Sequence, residues 1–271
     1  MGSKLGKMTK LVHKLAGWLP PGWRLFLRDF IETELRGFPR GMVAHRGSQI
    51  SLSLDMVLAH YRVSHPQVCF LQVGAFDGVS GDPIYPLVKK HGLRGVLVEP
   101  QPDAFDRLKA NYASFDPAAL VFVNAAITPQ DGTSVLYRIK PGAQGPGWLH
   151  EIASFDRNVV MRHARVIPNL EALIEPVEVR GITFTTLFRE AGIHRVDLLQ
   201  IDTEGYDAEI LRMFDVPSRK PAIIQFEHKH LTPADHGQTV GALIDLGYKF
   251  TICLENTLGY LSPDGEATGR A

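Results

Sequence analysis

The first candidate for chemistry is a turn that combines two glycines with a carboxylate. Gly74 and Gly78 flank Asp77, and the turn directly follows the largely apolar segment 68–73. Such a segment is typical of a strand covered on both faces, and glycine permits backbone angles and close approaches that a side chain blocks. A strand, a glycine turn and a following helix predict a site for a nucleotide-like ligand.

A second carboxylate follows the next predicted strand. Glu99 comes directly after segment 95–98, where a carboxylate can accept hydrogen bonds from both hydroxyls of a ribose. The third apolar segment ends in Asn124, and Ala125 follows it. A polar group beside small residues suits an adenine ring, and a capped strand end with tight packing behind it is the alternative interpretation.

Two cofactors fit this pattern, a dinucleotide and S-adenosylmethionine. The dinucleotide fingerprint is G-x-G-x-x-G, whereas three residues separate Gly74 from Gly78 here. Asp77 inside the turn would repel a pyrophosphate but would suit a cationic sulfonium ligand that carries an ammonium group. The sequence therefore favours S-adenosylmethionine, and a glycine turn without a ligand remains the alternative.

A further pair of carboxylates, Asp202 and Glu204, follows the apolar segment 196–201. A strand at 222–226 precedes Glu227 and His228 in the same way. Because ligands collect at the carboxyl ends of parallel strands, we expect these side chains to lie beside the glycine turn.

Length and composition limit what can position these groups. The chain has 271 residues, a formal net charge of zero, 45% hydrophobic and 21% charged residues, and so predicts one large globular domain with an appendage. The neutral charge argues against a nucleic-acid partner. Cys69 and Cys253 lie in apolar runs and are expected to be buried free thiols. Without a membrane span or a persuasive secretory signal, we expect a cytoplasmic enzyme.

The chain divides into three parts. Residues 1–45 carry eight Lys and Arg against three Asp and Glu, a net charge of +5, with apolar residues at helical spacing. This extension is predicted to be a basic amphipathic helix that contacts an anionic membrane surface or a partner, or else packs on its own domain. Residues 46–262 form the predicted catalytic domain, and 263–271 a mobile tail.

Local signals place the connecting elements. We expect Asp82 to cap a helix at 84–90, Asp103 to cap one that ends near Tyr112, and Thr185 or Thr186 to cap one at 187–191. The sheet should close with an antiparallel pair at 248–254 and 259–261, and 134–139 should be an edge strand. Residues 148–175, here called the cap segment, have weak periodicity and predict a loop over the pocket.

Together these motifs resemble the FkbM-family methyltransferases. The resemblance covers about residues 66–230 and rests on the following segments: Phe70–Gly78, Val98–Pro100 with Pro102 and Phe105, Asn124–Ala126, Thr186–Leu187 and Val196–Gly205. It implies a class I methyltransferase (Rossmann-like) α/β fold, whose seven-stranded, mostly parallel sheet has helices on both faces. It also implies S-adenosylmethionine-dependent transfer of a methyl group, usually to a hydroxyl of a sugar, polyketide or other small molecule.

The resemblance also implies site residues. Those expected to bind the cofactor are Gln72, Gly74, Ala75, Asp77, Gly78, Glu99, Pro100, Asn124, Ala125 and Asp202. Glu99 would hold the ribose, and Asn124 with Ala125 would adjoin the adenine. Gln200 stands where the family commonly has Lys, and Phe76 where a small polar residue is common.

An alcohol acceptor must lose a proton, so we expect a general base near the sulfonium. His228 is the first candidate because imidazole titrates near neutrality, and Asp202 and Glu204 are the alternatives. A structural role for His228 is the competing interpretation. Asp202, Glu204 and Glu227 could hold Mg²⁺, but carboxylates at strand ends more often serve hydrogen bonding, so no metal site is predicted.

Two other functions compete with methyl transfer. A nicotinamide-dependent oxidoreductase would use the same fold, and a non-catalytic interaction or membrane-recruited module would keep the fold without chemistry. The acceptor and the oligomeric state are not readable from the sequence.

Overall fold

The structure is a computed structural model that describes residues 53–253 and 255–261. The predicted basic extension, 1–45, and the predicted tail, 263–271, lie outside the described residues. No helix within the described ranges is both long and apolar enough to span a bilayer.

The core of the fold is a seven-stranded sheet with the order β10-β11-β9-β8-β1-β2-β3. Its strands are β1 (Cys69–Val73), β2 (Arg94–Val98), β3 (Leu120–Val123), β8 (Leu198–Ile201), β9 (Ile223–Glu227), β10 (Lys249–Cys253) and β11 (Asn256–Tyr260). Every strand pair is parallel except the two that involve β11. The predicted seven-stranded, mostly parallel sheet and its antiparallel closing pair are confirmed.

Apolar residues of the central strands alternate between two buried layers, because successive side chains point to opposite faces. Phe70 lies in one layer, which is covered by α1 (Leu54–Ser64), α2 (Tyr85–His91) and α3 (Pro102–Asn111). Leu71 lies in the other layer. The helices on that side are α6 (Phe184–Ala191), α7 (Asp207–Met213), α8 (Val216–Arg219) and α9 (Pro233–Asp245). Helices therefore cover both faces of the sheet.

A second, four-stranded sheet has the order β4-β7-β5-β6. Its strands are β4 (Ala126–Ile127), β5 (Gly132–Ile139), β6 (Ala153–Ser154) and β7 (Ile174–Ile182). The prediction of an edge strand at 134–139 is wrong, because β5 pairs with β7 on one side and with β6 on the other.

The cap segment is not the loop that its weak periodicity predicts. It contains two 3₁₀ turns (Leu149–Glu151 and Arg162–Arg165), β6, α4 (Arg157–Met161) and α5 (Leu170–Leu173). A small apolar core of its own, which includes Leu149, Ile152 and Val160, holds these short elements together. The cap segment is thus a folded layer beside the main sheet.

Three predicted helix starts need adjustment. α2 begins at Tyr85, and its N-cap residue is Ile84 in place of Asp82. Asp82 lies just before this start, and its Oδ1 accepts hydrogen bonds from the backbone N–H groups of Ile84 (2.6 Å) and Tyr85 (2.8 Å). Asp103 lies inside the first turn of α3 and is not its cap. The cap of α6 is Thr183, whose Oγ1 accepts from the N–H of Thr186 at 3.2 Å, in place of Thr185 or Thr186.

Candidate functional site

An open cavity of about 920 Å³ lies at the carboxyl ends of β1, β2 and β8, below the start of the second sheet. Its floor is the turn that follows β1, and Glu151, Ala153, Ser154 and Phe155 of the cap segment cover it. The position agrees with the expectation that strand ends and the cap segment enclose one pocket.

The glycine turn is pinned to the neighbouring strand through its backbone. The N–H groups of Gly74 and Ala75 both donate to the carbonyl oxygen of Val98, at 3.0 and 3.1 Å. Gly74 has a φ of +81°, and an added Cβ would lie 1.7 Å from the carbonyl oxygen of Asp202. Gly74 is therefore required both by its backbone conformation and by the approach of β8.

Glu99 is a buried carboxylate in the cavity wall. Its Oε2 accepts a hydrogen bond from the N–H of Phe76, and its Oε1 accepts one from the N–H of Gln101, both at 2.8 Å. Burial raises the pKa of Glu99 to about 7, although these two hydrogen bonds oppose that shift. Each carboxylate oxygen keeps a second lone pair, so the side chain can accept hydroxyl hydrogen bonds without giving up its backbone partners.

Asp77 and Gly78 do not line the cavity, in contrast to our expectation. The carboxylate of Asp77 accepts hydrogen bonds from the N–H of Val79 (2.9 Å) and from the N–H (2.8 Å) and hydroxyl (2.7 Å) of Ser80. Burial acts to raise its pKa, but these donors hold it below its ordinary value. At Gly78, an added Cβ would lie 2.3 Å from Leu108 Cδ1, so this glycine makes room for α3. Both residues shape the turn.

The predicted adenine wall is divided in a similar way. Pro100 and Ala125 line the cavity, but Asn124 does not. The Asn124 amide donates to the carbonyl oxygens of Glu99 (2.8 Å) and Pro100 (3.2 Å). Asn124 thus fixes the backbone that carries Glu99, and its predicted direct contact with adenine does not fit this position.

Gln72 belongs to a row of three buried glutamines across the sheet. Gln72, Gln200 and Gln225 are register partners on β1, β8 and β9, with exposed fractions of 2%, 1% and 5%. Gln72 lines the cavity and donates from Nε2 to Oδ2 of Asp82 at 2.5 Å. Gln200 stands where the resemblance leads one to expect a lysine, so this row of side chains is neutral.

The acidic end of the cavity is formed after β8. Asp202 and Glu204 both line it, as predicted from their place at a strand end. Glu204 has a φ of +51°, and its carbonyl oxygen accepts a hydrogen bond from Ser154 Oγ at 3.2 Å, which ties the turn to the cap segment. Asp207 supports the turn from behind, because it accepts hydrogen bonds from the N–H and hydroxyl of Thr203.

His228, the first candidate for the general base, is not part of the cavity lining. It is buried, its Nδ1 lies 3.1 Å from Thr257 Oγ1, and its ring is 4.9 Å from the ring of His236. After β9 the chain turns, and the Leu231 N–H donates to the His228 carbonyl oxygen. This turn places His230, and not His228, at the acidic end of the cavity. Both histidines follow β9 in the sequence, so no signal in the pattern could distinguish them.

Comparisons with known proteins agree with this geometry. The family model of the methyltransferase FkbM domain matches residues 72–250. A solved structure of methyltransferase FkbM from Methylobacillus flagellatus KT is similar over 96% of this chain, with a TM-score of 0.50 and 11% identity. The chain spans 60% of the length of that protein. No curated protein matches the chain.

Two further solved structures are more distant. Precorrin-6y C5,15-methyltransferase from Geobacter metallireducens GS-15 has 10% identity and a TM-score of 0.38, over 86% of this chain and 96% of that one. The N-terminal domain of human METTL16 in complex with SAH has 10% identity and a TM-score of 0.39, over 86% of this chain and 79% of that one.

The sheet order and the cavity at its carboxyl edge define a protein of the class I methyltransferase fold. The family model extends over more than half of the chain. The chain therefore belongs to the FkbM methyltransferase family, and the predicted resemblance is confirmed.

Proposed function

We propose that the protein is an S-adenosylmethionine-dependent methyltransferase that methylates a hydroxyl oxygen of a sugar, a glycan or another small molecule. The observation that carries this proposal is the setting of Glu99. It is 3% exposed, lies in the cavity wall beside the glycine turn, and offers free lone pairs on both carboxylate oxygens. Family membership supports the same reaction class.

The residues present fit the proposed cofactor. Glu99 would bind the ribose hydroxyls, and Pro100 with Ala125 would lie against the adenine. The close approach at Gly74 leaves a cradle that a Cβ would fill, and Asp202 at its edge would attract the ammonium group of the methionine part. When bound, the cofactor supplies an electrophilic methyl group on a sulfonium; the chain aligns the acceptor oxygen with that methyl group.

The start of α2 argues against a dinucleotide. A pyrophosphate is commonly bound by free N–H groups at the N-terminus of the helix that follows the glycine turn. Here α2 begins at Tyr85, eleven residues after Gly74, and Asp82 already accepts hydrogen bonds from its first N–H groups. A pyrophosphate at this position would be repelled by the Asp82 carboxylate, and the N–H groups of Ile84 and Tyr85 would not be free to bind it.

The surroundings of the cavity support a hydroxylated acceptor. A second groove of about 740 Å³ shares Ser154, Phe155 and Tyr206 with the cavity and continues past Arg162 and Asp235. Phe155 and Tyr206 pack edge to face, with ring centroids 5.2 Å apart. An aromatic surface flanked by charged and hydroxyl groups suits a sugar, which has both apolar and hydroxyl faces.

Asp202 and Glu204 remain our proposed acid–base residues, because they line the cavity. Contact of the basic extension with a membrane surface and a cytoplasmic location stay predictions, as do a small-molecule or glycan partner and the lack of a nucleic-acid partner.

The test is calorimetric titration of the full-length protein with S-adenosylhomocysteine and, separately, with NAD⁺. We expect saturable binding of S-adenosylhomocysteine only, weakened roughly 10- to 100-fold in Glu99→Gln, because a carboxylate–hydroxyl hydrogen bond contributes about 1.5–3 kcal/mol. The matched control is Glu178→Gln on β7, whose side chain is exposed. Binding of NAD⁺ alone would support the oxidoreductase, and binding of neither ligand would support a non-catalytic module.

A further inference from the structure

Three buried side-chain atoms converge at the acidic end of the cavity without making hydrogen bonds. They are Oε2 of Glu204, Oε2 of Glu227 and Nε2 of His230. His230 Nε2 lies 2.9 Å from Glu204 Oε2 and 3.9 Å from Glu227 Oε2. The side chains of Glu227 and His230 are only 7% and 8% exposed. Buried polar atoms are nearly always paired, so a group of three in one place needs an explanation.

The distances are those of atoms that share one ion. Two ligand atoms bound at about 2.0–2.2 Å to one tetrahedral metal ion lie roughly 3.3–3.6 Å apart, with their lone pairs aimed at the ion and not at each other. The observed 2.9 and 3.9 Å bracket that range, and the short Glu204–His230 contact lacks the angle of a hydrogen bond.

Two further ligand groups adjoin these atoms. Carboxylate oxygens of Asp202, Glu204 and Glu227 lie within 4.8 Å of one another, and so do ligand atoms of His163, Glu204 and His230. His163 Nδ1 lies 3.2 Å from the carbonyl oxygen of Val160, and donation to that carbonyl leaves the lone pair of Nε2 available.

The side-chain cations nearest to this cluster have other partners. Lys229 Nζ pairs with Glu255 at 3.0 Å, and Arg162 donates to the backbone carbonyl of His230 at 3.0 Å. The carboxylates of Asp202, Glu204 and Glu227 lie close together and repel one another when they are ionised. A bound cation would remove this repulsion.

We propose that Glu204, Glu227 and His230 bind a divalent transition-metal ion of the Mn²⁺ or Zn²⁺ type, with Asp202 and His163 as adjoining ligands. An imidazole among carboxylates favours such an ion over Mg²⁺ or Ca²⁺, which prefer oxygen ligands alone. Because Glu204 lines the cavity, the ion would lie at the cavity wall. If the proposed function holds, an acceptor hydroxyl bound to the ion would lose its proton more easily, and Asp202 and Glu204 would then act as ligands of the ion and not as free bases.

The test is titration of the metal-stripped full-length protein with Mn²⁺ and with Zn²⁺ in the absence of any cofactor. We expect one saturable site, with affinity reduced at least roughly tenfold in Glu227→Gln and in His230→Asn. The matched controls are Glu178→Gln and His60→Asn, both at exposed positions. Glu227→Gln should fold, because it mimics the protonated form that burial favours.

Spin-echo EPR of bound Mn²⁺ gives a readout that does not depend on catalysis. A nitrogen coupling from imidazole should be present in the wild type and in His60→Asn, and weaker or lost in His230→Asn. Absence of a saturable site in the wild type, or equal affinity in all variants, would overturn the proposal and leave a Glu204–His230 ion pair. If the protein binds no metal ion but still binds S-adenosylhomocysteine, the metal site is overturned while the proposed function stands.

Discussion

The carbonyl oxygen of Asp202 lies 1.7 Å from the position that a Cβ on Gly74 would occupy. This contact joins the ends of β1 and β8, and the Asp202 N–H donates to the carbonyl oxygen of Val73 at 2.9 Å beside it. Two motifs more than a hundred residues apart in the sequence therefore meet through their backbones, and the cavity forms at their junction.

Gly74→Ala should be among the most damaging single changes in the protein. The new methyl group would overlap the backbone of Asp202, and a φ of +81° adds strain for any residue with a Cβ. We expect a loss of more than about 3 kcal/mol in the free energy of unfolding, or failure to fold. Urea denaturation followed by circular dichroism measures this loss.

The matched control is Gly241→Ala in α9, where an added Cβ meets nothing within 4 Å. Alanine favours a helix interior over glycine by about 1 kcal/mol, so this variant should equal or exceed the wild type in stability. If Gly74→Ala were as stable as Gly241→Ala, the close approach of β8 to the turn would be incorrect.

The main sheet could be predicted from the sequence because its strands leave a strong signal. Strands buried on both faces are nearly continuous apolar runs, and β1, β2, β8 and β9 are all of this kind. Glu99, Asp202 and Glu204, which follow these runs, line the cavity.

The sequence predicts the strand at 134–139 but not the second sheet that contains it, since β5 and β7 are mixtures of buried and exposed residues with many polar side chains. The sequence pattern also does not predict the directions of side chains in turns. Asp77 binds its own loop, and His228 faces Thr257 while His230 reaches Glu204. Such choices depend on backbone angles that a pattern of residue types does not specify.

The buried glutamines should respond differently to substitution by methionine, which has a similar shape. Gln72 supplies a hydrogen bond to the partly buried carboxylate of Asp82, so Gln72→Met should cost about 1–3 kcal/mol in unfolding free energy. Both glutamines have a buried Oε1 without a hydrogen-bond partner, but Nε2 of Gln200 makes only a weak 3.3 Å bond to a backbone carbonyl, so Gln200→Met should be neutral or stabilising. Urea denaturation compares the pair; equal losses would contradict this difference in hydrogen bonding.

Arg138 links the second sheet to the main one. It bonds Glu175 on β7 at 3.0 Å and also pairs with Asp103 in the first turn of α3, and its side chain is 12% exposed. Arg138→Met should cost about 1–3 kcal/mol in unfolding free energy, since it leaves Glu175 without this partner and Asp103 with Arg107 alone. The control is Arg157→Met, whose exposed pair with Glu171 should contribute less than about 1 kcal/mol. Similar losses in the two variants would mean that this link between the sheets contributes little.

Glu99 should make stability decrease as pH rises. Its pKa is about 7 in the folded protein and about 4.3 when unfolded, so between these values the folded state holds a proton that the unfolded state has lost. The free energy of unfolding then falls as pH increases through this interval and levels off above it. The contribution is at most about 4 kcal/mol.

The side chain of Glu99→Gln cannot titrate. From pH 5 to pH 8 the wild type should therefore lose unfolding free energy relative to this variant. Urea denaturation at intervals of one pH unit measures the difference, and Glu178→Gln should follow the wild type throughout.

Because an ionised carboxylate is the stronger acceptor for ribose hydroxyls, S-adenosylhomocysteine should also bind more tightly to the wild type at pH 8 than at pH 6. A pH-independent difference between the two proteins would mean that Glu99 is already ionised at pH 5, and its burial would then have to be offset by the N–H groups of Phe76 and Gln101.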